Sequence, residues 1–142
     1  MATTKAAQSA SDIPEGVVRL VSLDGGVCRE WEGQDAVAEL RRAVKRRTAR
    51  LWVDLCGASP AVLSAVSATL GLHQLLAEDL AERDQRAKLD QIGGILHVVL
   101  FSLGFEDGLV YEREIDFVLG ERFLFSSHSK WWDPRSTRHL KL

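Results

Sequence analysis

A chain of 142 residues that is 46% hydrophobic and 27% charged has the composition of one soluble globular domain, large enough to bury a core without disulfides or a structural metal. Its longest apolar stretches, such as Val98-Val99-Leu100-Phe101, fall far short of the roughly 20 residues that span a bilayer, so any membrane role would belong to residues beyond it. The net charge of -2 hides a segregation, with residues 1–50 at +2, 51–121 at -8 and 122–142 at +4, which favours a cation or a basic surface over nucleic acid as partner of the middle segment.

The opening residues are rich in Ala, Ser and Thr and lack the apolar centre of a secretory signal. They predict a disordered tail over 1–14 ahead of a domain over 15–130, and a cytosolic location. Val17–Leu23 and Val27–Trp31 flank Asp24-Gly25-Gly26, which predicts a β-hairpin. Val37, Leu40 and Val44 recur at helical spacing, with Arg41, Arg42, Lys45, Arg46 and Arg47 mostly on other faces, so an amphipathic helix is expected over 35–49. Leu51–Leu55 is a short strand ended by Gly57. Ser59 suits an N-cap and Pro60 the first position of a helix that buries Val62, Leu63, Val66 and Leu70 and stops at Gly71.

A shorter helix over 73–81 follows, with Leu72, Leu75, Leu76 and Leu80 to one side and Glu78 and Asp79 towards its C-terminal end. Lys88–Ile92 suits an edge strand, and Gly93-Gly94 a turn. Ile95–Phe105 is so continuously apolar that it predicts a central strand covered on both faces. Asp107-Gly108 reverses the chain into Leu109–Leu119, where Tyr111, Ile115, Phe117 and Leu119 oppose Glu112, Glu114 and Asp116. Phe123–Ser127 is the last strand. This order lacks the regular alternation of a doubly wound fold; it predicts an α/β protein with a mixed β-sheet, antiparallel in its second half and covered by helices.

No phosphate-cradling glycine loop and no nucleophile elbow occurs. Cys28 and Cys56 fit no CxxC or zinc pattern, and His73, His97, His128 and His139 fit no helical zinc motif, so nothing marks an enzyme. His97, inside a predicted core strand, suits a hydrogen-bonded core histidine. The basic run from Arg41 to Arg50 has no interleaved aromatics for stacking bases and suits a solvated helix face. Trp131-Trp132 either packs back on the domain or contacts a segment or subunit outside this chain.

Glu78-Asp79 is the sharpest polar feature, because the macrodipole disfavours negative charge at a helix C-terminus. Arg83, Arg86 and Lys88 could compensate as local ion pairs; a divalent cation is the alternative, since Mg²⁺ keeps most of its waters and often takes only one or two carboxylates.

Taken in order, Trp52-Val53-Asp54-Leu55, the Pro60 helix, Leu70-Gly71-Leu72-His73, Glu78-Asp79, Gln85-Arg86-Ala87-Lys88, Ile95–Leu100, Ile115-Asp116-Phe117-Val118-Leu119 and Phe123–His128 resemble the cytoplasmic N-terminal domain of the CorA family of divalent-cation transporters. Ala87 stands where the family commonly has Pro, and a Thr is common at the position of Ser127. The resemblance implies an α/β/α sandwich within a pentameric cytoplasmic funnel on the membrane's inner side. It implies residues 131–142 as the start of a connection to a stalk helix, with two transmembrane helices and a Gly-Met-Asn motif beyond Leu142. It further implies a regulatory Mg²⁺, or Co²⁺ or Zn²⁺, held by Asp79 assisted by Glu78 and shared with an acidic residue of the adjacent subunit. A zinc-transporting relative and a stand-alone α/β protein-interaction domain are the alternatives. A split site predicts weak Mg²⁺ binding and a mainly monomeric chain when dilute.

Overall fold

The computed structural model describes Ile13, Pro14, residues 17–130 and Trp132. The elements run β1 (Val18–Asp24), β2 (Val27–Glu32), α1 (Gly33–Ala43), β3 (Arg50–Cys56), α2 (Pro60–Thr69), α3 (Gln74–Glu82), β4 (Lys88–Ile92), β5 (Ile95–Glu106), β6 (Leu109–Leu119) and β7 (Phe123–His128). The seven strands form one mixed sheet in the order β2-β1-β3-β7-β6-β5-β4. β3 and β7 run parallel, and the remaining pairs are antiparallel. The α/β class, the mixed sheet and the antiparallel second half are as the sequence predicts.

The local chemistry explains the elements. The first hairpin turns on Gly25 and Gly26, whose φ values of +57° and +80° a β-carbon would oppose. Ser59 caps α2 by accepting from the Val62 amide, with Pro60 at the first position. His73 caps α3 through Nδ1, which accepts from the Leu75 amide at 3.2 Å.

α1 ends at Ala43, six residues before the predicted limit. Continuing the helix would stack five cations on successive turns, whereas the observed tight turns let Arg46 reach Glu39 and Asp24. They also let Ala49 enter the core just before β3.

Strand register fixes which residues share a face. Leu20 lies opposite Val53, Val53 beside Phe125, and Phe125 opposite Val118. These residues belong to one buried cluster with Leu40 of α1, Val66 of α2, and Leu76 and Leu80 of α3. All three helices therefore cover the same face of the sheet. The second helical layer of an α/β/α sandwich is not among the described residues.

One prediction about the sheet is corrected. β5 is not central: it lies next to the edge strand β4, and the centre is β7. β4 pairs with β5 only over Ile95–Val99, and β7 with β6 only over Ile115–Leu119, so residues 100–106 and 109–114 continue past the sheet as a two-stranded ribbon. The nearly continuous apolar run of β5 thus ends in an exposed outer half rather than lying under cover on both faces.

The predicted tail and connection lie outside the described residues apart from Ile13, Pro14 and Trp132. Ile13 packs against the core. Trp131 lies outside them too, but Trp132 folds back, its ring edge-on to His128 at 4.8 Å and to Phe117 at 6.1 Å. Among the described residues, no helix is long and apolar enough to cross a membrane.

Candidate functional site

Leu72, Leu76 and Leu80 are buried at a spacing of four and pin α3 to the sheet, which turns Glu78 and Asp79 outward. The two acids sit within the helix, fifth and sixth of its nine residues, and it is the left-handed Arg83 that ends it. The dipole at the last turn therefore bears on them less than the sequence suggests. Glu78 is exposed, and its Oε1 accepts from Gln74 Nε2 at 2.9 Å, one helical turn back.

Asp79, with 40% of its side chain exposed, accepts from Lys88 Nζ at 3.1 Å. The same ammonium lies 3.0 Å from Asp90 Oδ2. Burial works against that charge, but the hydrogen bonds to Asp90 and Asp79 outweigh it and hold the Lys88 pKa above its ordinary value. Of the three cations that the sequence offers as local compensation, Lys88 meets Asp79, whereas Arg83 turns to the sheet. Among the described residues no group of three or more His, Cys, Asp or Glu side chains could hold a metal ion.

A polar network lies behind this edge, on the helix-covered face. Arg83 donates to Ser127 Oγ at 2.8 Å and to the His128 carbonyl at 3.4 Å. The Gln85 amide donates to Glu114 Oε2 at 3.2 Å, tying the α3–β4 connection to β6. His97 Nε2 pairs with Asp116 Oδ1 at 2.8 Å, both side chains 1% exposed. His97 is thus the hydrogen-bonded core histidine the sequence predicts. Its partner was hidden, because Asp116 alternates with Glu112 and Glu114 as though it faced solvent.

Desolvation raises the pKa of Glu114, and the neighbouring Asp116 raises it further through charge and a hydrogen bond, against the Gln85 amide and Arg83. Arg83, Arg86, Phe101, Glu112 and Glu114 border an open cleft of about 920 Å³ between the α3–β4 connection and the ribbon.

The uncovered face carries a second buried network, which the sequence did not announce. Trp52 Nε1 donates to Ser126 Oγ at 3.0 Å, and Ser126 Oγ donates to Asp54. His128 Nε2 lies 3.0 Å from both Asp54 oxygens, and its Nδ1 lies 2.8 Å from the Ser129 carbonyl. The imidazole is thus held at both ring nitrogens, between the Asp54 carboxylate and the Ser129 carbonyl.

Ser, His and Asp meet here in the wrong order for nucleophilic catalysis. The carboxylate bridges the hydroxyl and the imidazole, so the histidine does not touch the serine whose proton it would have to take. The group is a structural clasp between β3 and β7, capped by Trp132.

No family model matches the chain, and no curated protein matches it by sequence. Its fold is similar to that of the complete CorA magnesium transporter from Methanocaldococcus jannaschii, with a TM-score of 0.59 and 12% identity over 85% of this chain and 35% of that one. It is similar to the full-length CmaX protein, with a TM-score of 0.59 and 17% identity over 85% of this chain and 36% of that one. The soluble domain of CorA from Methanocaldococcus jannaschii matches with a TM-score of 0.53 and 12% identity, over 78% of this chain and 40% of that one. This chain therefore spans between a third and two-fifths of the structures it matches, and the likeness is one of fold. At that level the resemblance read from the sequence holds: the chain has a fold like that of the CorA soluble domain.

Proposed function

We propose that this chain is the cytoplasmic, cation-sensing domain of a CorA-like transporter of Mg²⁺ or Co²⁺. Copies of itself would be its partners in a pentamer, and the stalk and pore would be supplied by further residues of the same transporter. The observation that carries this reading is the likeness of fold to CorA over most of the chain. Glu78 and Asp79 add chemistry suited to it, as two outward carboxylates on one helix offer the one or two oxygen ligands that Mg²⁺ takes while keeping its waters. An oxygen-only pair suits Mg²⁺ better than Zn²⁺, which favours His and Cys.

Two ligands make a partial site, so an acid of the adjacent subunit completes it. A cation bridging two subunits binds their close arrangement better than their open one, and stabilises it by that difference in affinity. Without the ion, the facing carboxylates repel. Lys88 is the built-in competitor for Asp79 and keeps the affinity of the single chain low.

A second reading is favoured by the Lys88–Asp79 bridge itself: a protein-interaction domain in which this is an ordinary surface ion pair. A Mg²⁺ titration followed by amide resonances separates the two. Weak, slowly saturating shifts confined to α3 and β4 are expected, lost in Asp79→Asn and strengthened in Lys88→Met. Tight stoichiometric binding indifferent to Asp79→Asn, or silence at α3 even in Lys88→Met, would overturn the sensing role.

A further inference from the structure

The ribbon formed by the outer halves of β5 and β6 is built unlike the rest of the molecule. A two-stranded hairpin alone in water is marginal, and this one exposes large apolar side chains: Leu103 at 68%, Phe105 at 76% and Val110 at 65%. The register sets Phe105 opposite Val110 and Leu103 opposite Glu112, so the three apolar groups share one face. The ends turn on Asp107 and Gly108, both at positive φ, which makes the tip a tight, well-defined one. Glu106, Asp107 and Glu112 give it negative charge, and all three are exposed.

A complementary feature lies at the other end of the strands. A cavity of about 180 Å³ opens between the end of α1, the start of β3 and the β6–β7 turn, lined by Val44, Leu51, Leu70 and Phe123. In a protein core roughly 150 Å³ is enough to hold benzene, so there is room for an aromatic ring. The segment between the lining residues Val44 and Ala49 carries the exposed cations Lys45 and Arg47, while Arg122 and Arg46 are held by their own chain and Glu121 adds an acid to the lining.

β6 runs from the tip at Leu109 to Leu119 beside the cavity. Ten residues at about 3.4 Å each place tip and cavity roughly 34 Å apart, so the tip cannot reach the cavity of its own chain. We infer that the acidic, apolar ribbon tip of one copy docks, Phe105 first, into the cation-rimmed cavity of a second copy. Such a contact joins different surfaces of the two copies, and repeats of it close into a ring or run on as a chain. Opposite charges at tip and rim steer the encounter, so the contact weakens with salt. It does not depend on the cation site of α3.

Light scattering on the intact chain over a range of concentrations tests this. The expected result is an average mass that climbs above the monomer with concentration, less so at high salt, and stays at the monomer in Phe105→Ser. Glu106→Arg with Glu112→Arg repels its own rim, and Lys45→Glu with Arg47→Glu repels its own tip, so each double variant is expected to remain monomeric alone. Mixed, the two are expected to associate. All these positions are on the surface, and unchanged melting temperatures verify that each variant folds. A wild-type chain that is monomeric throughout would overturn the contact, as would association that survives Phe105→Ser. Association lost in Phe105→Ser but kept in Lys45→Glu with Arg47→Glu would mean tip-to-tip pairing and overturn the role of the cavity.

Discussion

The sheet has two unlike halves that meet at β7. In the half made of β2, β1, β3 and β7, the positions facing the helices include Val18, Leu20, Leu51, Val53, Leu55 and Phe125, all buried and in one cluster. In the half made of β6, β5 and β4, the same face carries His97, Asp116, Glu114 and Lys88, and further out the exposed Leu103 and Phe105. The first half is closed by its own helices, and the second is left open. Cohesion and recognition are thus placed in different strands, and a charged or docking surface costs the core little.

The sharpest way to break that contrast is to truncate one phenylalanine in each half. Phe125 is wholly buried on the central strand. Phe125→Ala is expected to cost about 3–5 kcal/mol, from lost transfer energy and the cavity left behind. Phe105→Ala, at a side chain 76% exposed, is expected to stay within about 0.5 kcal/mol of the parent. Urea denaturation of the two variants checks this. Equal costs would mean that the ribbon belongs to the cooperative core.

Most of the closed half was legible in the sequence, because its signals are local. Asp24-Gly25-Gly26 makes its own turn, Ser59-Pro60 its own helix start, and Leu76 and Leu80 recur at helical spacing whatever surrounds them. The open half was less so. The run Ile95–Phe105 looks the same whether it is covered on both faces or projects past its neighbours, since the lengths of β4 and β7 decide that, and they lie elsewhere in the chain. Asp54 with Ser126 and His128, and His97 with Asp116, are pairings across the sheet. Their register depends on the strand order, which the pattern of single strands does not contain. The site acids were legible as residues, but not their position inside α3 or the choice of Lys88 over Arg83 as the cation beside Asp79.

An intermediate effect is expected where the open half does bury polar groups. Asp116→Ala removes the partner of His97 Nε2 in a place without access to water. The stranded imidazole is expected to cost about 1–3 kcal/mol. Asp116→Asn keeps an acceptor for the ring and should recover part of this. If alanine and asparagine proved equal in thermal melts, the His97 contact would have no share in stability, and the cohesion of the open half would rest on its buried apolar residues Val99, Ile115 and Val118.

The smallest expected effect is the most specific to the open half, since it depends on pH. Glu114 has its pKa raised above the ordinary 4.5, first by desolvation and then by Asp116. The folded chain consequently holds a proton that the unfolded chain has released, from about pH 4.5 up to the raised value. Stability contributed by this group is complete below that window and is lost as the pH rises through it. Glu114→Gln imitates the protonated acid: its amide oxygen can still accept from the Gln85 amide, and it carries no charge against Asp116. The variant is therefore expected to melt slightly higher than the parent at pH 7, and to match it near pH 4.5. Melts across that range check the sign. A Glu114→Gln chain less stable than its parent at pH 7 would mean that the ionised carboxylate, paired with Arg83, holds the α3–β4 connection down, and that the open half is fastened by charge after all.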